Sequence, residues 1–231
     1  MAANFNQYAT SYKKQICRSQ SFAGTDHGVY LRAKANILKR LVRKRFGTRR
    51  KPNALDIGCG LGLMEPYLSG VFSEIVGIDP ADQAIAYARQ TVHNARFETF
   101  DGRTIPFPDE SFDVVFAICV MHHVPQPQWS GFVLEMRRAL KPGGLAAVFE
   151  HNPYNLLTRL AVARCEFDKD ATLLSEPRVA RIFRENGFES IRKKYLLFLP
   201  LAGPIWSFIE NAIGLLPMGA QYYVTGTKDV A

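Results

Sequence analysis

The chain has 231 residues, which suits one domain and is enough to bury a full core. Hydrophobic residues make up 47% and charged residues 22%, which excludes wholesale disorder. No apolar stretch reaches the roughly 18 uninterrupted residues of a membrane span, and residues 1–15 lack the apolar core of a secretory signal. We therefore expect one domain over residues 1–231, located in the cytoplasm.

The four cysteines lie far apart in the sequence, as Cys17, Cys59, Cys119 and Cys165. They form no C-x-x-C pair, and no histidine joins them at the spacing of metal ligands. We therefore expect neither a zinc site nor a disulfide framework. Reduced thiols fit a reducing compartment.

The net charge of +8 is concentrated in residues 39–51, which hold eight lysines and arginines and no acid. We call this segment the basic patch. An anionic partner, such as nucleic acid, an acidic membrane surface or a phosphorylated substrate, would suit it. No aromatic residues alternate with the charges to stack on bases, so we favour a solvated helix face. Nucleic acid is the less favoured partner, and peripheral membrane contact is an alternative.

Apolar residues at helical spacing predict a first helix over residues 30–46, with most of the basic patch on its outer face. Strand-like and helical patterns then alternate at intervals of 20–30 residues. The predicted strands cover residues 54–57, 74–79, 95–100, 111–120, 144–151, 191–199 and 220–228, and the predicted helices cover residues 63–69, 80–92 and 129–140. This alternation predicts an α/β fold with helices on both faces of a parallel sheet.

Two segments, residues 152–174 and 200–218, interrupt the alternation. We expect both to be insertions on the substrate side of the domain, and residues 1–50 to form an N-terminal helical cap. The apolar side chains of the two insertions suggest a substrate with an apolar part: Leu156, Leu157, Phe167, Ile205, Trp206 and Phe208.

The stretch ALDIGCGLG places Gly58, Gly60 and Gly62 directly after a buried strand. Glycines let the backbone approach a ligand, and ligands of open parallel sheets bind at the carboxyl ends of the strands. The turn lacks the third glycine of a dinucleotide fingerprint and the G-K-[ST] of a P-loop. Asp79 ends the next strand, where its carboxylate can accept hydrogen bonds from the two hydroxyls of a ribose. Asp101 follows the third strand, where it can accept from an adenine amine.

The segments LDIGCGLG, GIDP, FDG, FDVVFAICVMHHV and LKPGGLAAVFE follow one another between Leu55 and Glu150. In this order they resemble the class I S-adenosylmethionine-dependent methyltransferases, and the HHV stretch is similar to a branch that acts mostly on small molecules. The resemblance implies a Rossmann-like three-layer sandwich with a seven-stranded, mostly parallel sheet. AQYYVTGTK would be its antiparallel last strand.

The resemblance also implies S-adenosylmethionine as the cofactor, bound at the carboxyl ends of the first four strands. The implied binding positions are Asp56, Gly58, Cys59, Gly60, Asp79, Pro80, Asp101, Gly102 and Ile118. The backbone of the glycine turn would contact the cofactor while Asp56 supports that loop. Asp79 would bind the ribose, Asp101 the adenine amine, and the Ile118 backbone the methionine amino group.

Methyl transfer to a hydroxyl requires in-line alignment and loss of a proton, so a base within reach helps. His122, His123 and His151 lie near predicted carboxyl ends of strands, and histidine suits this task near neutral pH. We favour His151 as the catalytic base and take His123 as the second candidate. Glu150 and Tyr154 are further candidates.

We expect the N-terminal segment to form another wall of the site, with Tyr8, Tyr12 and Arg32 reaching it. Arg32 would pair with the methionine carboxylate. The expected function is O-methylation of a small molecule. The alternatives are an RNA methyltransferase that uses the basic patch, and a non-enzymatic protein that binds S-adenosylmethionine. The sequence CVMHHV replaces the N/D-P-P-Y/F motif common in amine methylation of bases, which counts against RNA.

Overall fold

The computed structural model describes residues 27–197 and 216–230. Its strands are β1 (Asn53–Ile57), β2 (Glu74–Asp79), β3 (Arg96–Thr99), β4 (Phe112–Ile118), β5 (Leu140–His151), β6 (Glu189–Leu196) and β7 (Gln221–Thr227). They form one seven-stranded sheet in the order β3-β2-β1-β4-β5-β7-β6. Strands β1 to β5 pair in parallel, whereas β7 runs antiparallel to both β5 and β6. The predicted sheet, with its antiparallel last strand, is confirmed.

Helices cover both faces of this sheet. In the described ranges they are α1 (His27–Phe46), α2 (Asp82–Thr91), α3 (Trp129–Ala139), α4 (Leu156–Arg164) and α5 (Glu176–Glu185). Leu38 of α1 packs with Phe116 and Phe149 on one face. On the other face, Met136 of α3 and Phe183 of α5 pack in a second cluster. Burial on both faces explains the continuous apolar runs of the central strands.

The structure differs from the predicted elements in four places. Strand β5, predicted over residues 144–151, begins at Leu140. The helix predicted over residues 63–69 is only a 3₁₀ turn at Glu65–Leu68, because Pro66 opens it and Gly70, with φ +77°, closes it. The strand expected over residues 191–199 begins at Glu189 and ends at Leu196. Helix α5 was not predicted.

The predicted cap and insertions lie only partly within the described residues. The cap over residues 1–50 is described from His27 onwards, as α1. The insertion over residues 152–174 contains α4 and a 3₁₀ turn at Glu166–Asp168. Of the insertion over residues 200–218, only 216–218 are described.

The antiparallel pairing of β7 determines which residues meet at the carboxyl edge of the sheet. Gln221, the first residue of β7, pairs with His151 at the end of β5 and with Leu196 at the end of β6. The residues on either side of the 198–215 segment therefore lie at the same edge as the carboxyl ends of β1 to β5.

The C-terminal part of the basic patch lies at the opposite edge. Arg45 donates two hydrogen bonds, of 2.9 and 2.7 Å, to the carbonyl of Gly143 near the start of β5. Arg50 forms a 2.6 Å ion pair with Asp113 near the start of β4. Arg45 and Arg50 are thus remote from the carboxyl ends of the strands, whereas Arg40 of the same patch interacts with Tyr223 of β7. Across the described ranges, none of the helices has the length and apolar character to span a membrane.

Candidate active site

The glycine turn after β1 adopts a backbone that side chains disfavour. Gly58 and Gly62 have φ values of +74° and +69°. A Cβ atom would overlap the Val120 side chain at Gly58 and the Phe97 ring at Gly62. Backbone conformation and protein packing therefore account for glycine at these two positions.

Asp79 closes this turn. Its Oδ2 accepts a 2.9 Å hydrogen bond from the Gly60 N–H, and its Oδ1 accepts a 2.8 Å bond from the Ala81 N–H. Burial raises the pKa of Asp79 above its usual value. Each carboxylate oxygen keeps a lone pair for a further donor, which is the requirement for binding two adjacent hydroxyls.

A second pair of acids lies behind the turn. Asp56 and Glu65 are buried together, and neither Glu65 oxygen has a hydrogen-bond partner of good geometry in the described part of the chain. Burial raises the pKa of Glu65 to about 7, and burial and the neighbouring Glu65 raise the pKa of Asp56. Because like charges so close resist joint ionisation, the pair holds a proton near neutral pH.

The structure brings Asp101 and Gly102 next to the Asp79 turn. Gly102 has φ +77° and faces Pro80, since a Cβ there would lie 3.7 Å from the Pro80 Cβ. Asp101 is exposed and accepts hydrogen bonds of 2.7 Å and 2.8 Å from the N–H groups of Thr104 and Arg103, which lower its pKa. The predicted ribose and adenine residues therefore share one surface.

The end of β4 carries a feature that the sequence did not indicate. Cys119 follows Ile118 with φ +58°, an uncommon conformation for a residue with a side chain. Its Sγ lies 3.6 Å from Nζ of Lys34 and 3.5 Å from Nε2 of Gln221. Burial acts to raise the pKa of Cys119, but Lys34 and His151 outweigh it and lower the pKa to about 7.

Lys34 and Arg32, the residue that we predicted to pair with the methionine carboxylate, differ in their burial. Lys34 is only 5% exposed, whereas Arg32 faces solvent. The signal was present in the sequence, because Lys34 lies among Leu31, Ala35 and Leu38 on the apolar face of the predicted helix.

His122 lies between two carboxylates. Its Nδ1 is 2.6 Å from Oε2 of Glu150, and its Nε2 is 3.4 Å from Oδ1 of Asp168. Burial disfavours the charged imidazole, but the two acids outweigh burial and raise its pKa well above the usual value. Glu150 also accepts hydrogen bonds from the backbone N–H groups of Val120 and Met121, at 3.1 and 2.7 Å.

His123 and His151 adjoin His122. Nε2 of His123 lies 3.4 Å from Oδ1 of Asp168, and burial together with the charge of His122 lowers the pKa of His123 to about 4. The His151 ring is 5.2 Å from the His122 ring, and its Nδ1 is 3.3 Å from Nε2 of Gln221. The three histidines named from the sequence therefore form one group.

Two members of this group were missed by sequence reasoning. Asp168 comes from the insertion before α5, and Gln221 from the start of β7; neither belongs to a motif. Of the further candidates, Glu150 is buried within the group, and Tyr154 is 62% exposed. Tyr8 and Tyr12 lie outside the described residues.

Comparison with known proteins relates this chain to methyltransferases. Residues 55–148 match the family profile described as "Methyltransferase domain". A sterol 24-C-methyltransferase of Aspergillus fumigatus is 29% identical over 225 residues, covering 76% of this chain and 59% of the relative. A ubiquinone biosynthesis O-methyltransferase of Roseobacter denitrificans is 27% identical over 171 residues, covering 67% of this chain and 65% of the relative.

The fold is shared with a solved S-adenosylmethionine-dependent methyltransferase of Thermotoga maritima. That structure matches with a TM-score of 0.71 at 21% identity, covering 99% of this chain and 100% of the other. These findings identify residues 55–148 as a methyltransferase domain with the fold of the class I S-adenosylmethionine-dependent methyltransferases, and indicate S-adenosylmethionine as its cofactor. It spans less than two thirds of the length of the sterol and ubiquinone relatives.

Proposed function

We propose that the protein transfers a methyl group from S-adenosylmethionine to an oxygen atom of a small molecule that has an apolar part. The observation that carries the proposal is the position of His151. It lies at the carboxyl edge of the sheet, beside the cofactor strands and at the start of the insertion that contains α4.

The residues around the glycine turn suit the cofactor. Asp79, with Pro80, has lone pairs for the ribose hydroxyls, and Asp101 with Gly102 is placed for the adenine amine. The backbone of Gly58, Cys59 and Gly60, supported by Asp56, would line the cofactor, and the Ile118 backbone would meet the methionine amino group. S-adenosylmethionine supplies a methyl group that its sulfonium has already activated.

Lys34 is the residue that we assign to the methionine carboxylate. Its ammonium group lies at the end of β4, 3.6 Å from the Cys119 sulfur. A cation on the buried face of α1 matches a carboxylate better than Arg32, which is exposed.

His151 is better suited than the other histidines to accept the proton of an acceptor hydroxyl. His122 is held between Glu150 and Asp168, and the low pKa of His123 makes it a weak base near neutral pH. The Gln221 amide can turn its oxygen towards His151 Nδ1. A proton held on Nδ1 leaves Nε2 of His151 able to accept the proton of the substrate hydroxyl. The O–H bond of the substrate breaks as its oxygen attacks the methyl carbon.

Exposed apolar side chains near the site favour a substrate with an apolar part. On α4 these are Leu156, Leu157 and Leu160, which are 75%, 66% and 38% exposed, and Met218 is 67% exposed. The Asn155 side chain donates to the Met218 carbonyl at 2.8 Å, so these residues belong to one surface. The sterol and ubiquinone relatives also carry names of apolar molecules.

The position of the basic patch weakens the RNA alternative, because Arg45 and Arg50 lie at the sheet edge opposite His151. The same separation lies between these arginines and the apolar surface of α4. A membrane in contact with α4 would therefore not contact Arg45 and Arg50 at the same time.

The proposal can be tested with S-adenosylmethionine labelled in its methyl group. The full chain is incubated separately with a lipid extract, a water-soluble metabolite extract and total RNA from one bacterium. We expect label in an organic-soluble product, released as methyl iodide by hydriodic acid as from a methyl ether. Label confined to RNA, or a methyl group that resists this cleavage, would contradict O-methylation of an apolar small molecule.

A further inference from the structure

His122, His123 and Asp168 converge outside the cofactor strands. Their ligand-type atoms lie within 4.8 Å of one another. Oδ1 of Asp168 is 3.4 Å from Nε2 of both histidines. The side chains of His123 and Asp168 are 20% and 12% exposed, so the group can be reached from solvent.

We propose that these three side chains bind a divalent transition-metal ion, with zinc as the best match. Two imidazole nitrogens and one carboxylate suit zinc better than magnesium or calcium, which favour oxygen ligands. In a tetrahedral zinc site with bonds of about 2.0–2.1 Å, ligand atoms lie about 3.3–3.4 Å apart. The two distances from Asp168 therefore match tetrahedral coordination, and the two histidine nitrogens lie within 4.8 Å of each other.

The surroundings of His122 support this site independently. Its Nδ1 is 2.6 Å from Oε2 of Glu150, and this carboxylate is itself held by backbone N–H groups. A histidine metal ligand usually donates its second ring N–H to such a carboxylate, which orients the ring and selects the nitrogen that faces the ion. The His122 carbonyl also accepts a 2.9 Å hydrogen bond from the Thr172 N–H, which ties it to the segment that carries Asp168.

Three protein ligands leave one position of a tetrahedral ion for another molecule, as in catalytic zinc sites. The His151 ring is 5.2 Å from the His122 ring, so an acceptor hydroxyl on the ion would lie near the proposed base. The ion would lower the pKa of that hydroxyl. The O–H bond then breaks with its proton passing to His151, and the oxygen lone pair forms the bond to carbon as the methyl–sulfur bond breaks. The catalytic role of the ion rests on the proposed function, whereas binding of the ion does not.

The test uses the purified full chain, stripped with a chelator, dialysed against Zn²⁺ and analysed for metal content. A Co²⁺ titration reports the coordination geometry by its visible absorption. We expect about one ion per chain with a tetrahedral Co²⁺ spectrum. Asp168→Asn and His123→Ala should each abolish this binding. Asp170→Asn makes the same change in charge at an exposed acid two residues away and should retain it.

Calorimetric titration with S-adenosylmethionine tests whether each variant is folded. This measurement requires neither the metal ion nor a methyl acceptor. Glu150→Gln should weaken binding of the ion by about 10–100-fold. Absence of bound ion in wild type, or retention of it in Asp168→Asn, would overturn the proposal and leave a network of hydrogen bonds. Ion binding without any methyl transfer to an oxygen would instead count against the proposed function.

Discussion

The buried acids on the two halves of the carboxyl edge have pKa values that are shifted in opposite directions. Beside β1 and β2, Asp56 and Glu65 face each other, and burial raises the pKa of both. Beside β4 and β5, Glu150 and Asp168 flank His122, which outweighs burial and lowers the pKa of both acids. The first pair therefore holds a proton near neutral pH behind the glycine turn. The second pair favours the carboxylate form on either side of His122.

The largest expected effect tests the β4–β5 half. Replacing His151 with Ala should lower turnover by about 10²–10⁴-fold, the usual contribution of a general base, and leave cofactor affinity unchanged. Methyl-transfer rates and calorimetry measure the two quantities. His93→Ala, at an exposed histidine, is the control. Unchanged turnover in His151→Ala would remove it from the chemistry.

The next effect tests the β1–β2 half. Asp79→Ala should weaken binding of S-adenosylmethionine by about 100-fold, because two charge-assisted hydrogen bonds to the ribose are lost. Glu74→Ala changes an exposed acid at the other end of the same strand and should bind normally. Equal affinities of the two variants in calorimetry would show that Asp79 does not bind the ribose.

The buried pair itself gives a pH-dependent effect. The pKa of Glu65 is raised to about 7 from a usual value of 4.5, so its ionisation destabilises the fold progressively above pH 4.5. Glu65→Gln should match wild type at pH 4 and be about 1–2 kcal/mol more stable at pH 8, after allowance for its buried amide. Denaturant unfolding at both pH values measures this difference. A variant less stable than wild type at pH 8 would contradict it.

Cysteine reactivity provides a smaller effect. The pKa of Cys119 is lowered to about 7, whereas burial and nearby acids raise the pKa of Cys59 well above the usual value. Alkylation of Cys119 by iodoacetamide should have its midpoint near pH 7, and Lys34→Met should move that midpoint upwards. Peptide mass spectrometry separates the two cysteines. Alkylation of Cys59 with a midpoint at lower pH than that of Cys119 would contradict this prediction.

The smallest effect is expected at the basic patch. Arg43, Lys44 and Arg49 are exposed at the sheet edge opposite the site. Their triple replacement with Ala should leave methyl transfer to the small molecule unchanged and alter stability by less than about 0.5 kcal/mol per residue. Rate assays and thermal unfolding check both statements, and a large loss of rate would connect the patch to the acceptor.

The two halves also differ in how far the sequence predicts them. Asp56, Asp79 and Asp101 end consecutive strands, so a local pattern was enough to place them at one edge. Asp168 and Gln221 reach the histidines only through the packing of the insertion and the antiparallel return of β7, and no local pattern encodes either contact. The burial of Lys34 was predictable from its place on the apolar face of α1, whereas Arg32 was suggested by its position in the N-terminal segment.

The reversed direction of β7 has a consequence for protein engineering. Because β6 ends and β7 begins at the carboxyl edge, the chain that joins them enters and leaves beside His151 and far from Asp101. This connection can therefore be exchanged or lengthened without altering the cofactor strands. Chimeras that replace residues 198–220 with those of a relative are thus a direct route to new selectivity on one methyl-donor platform.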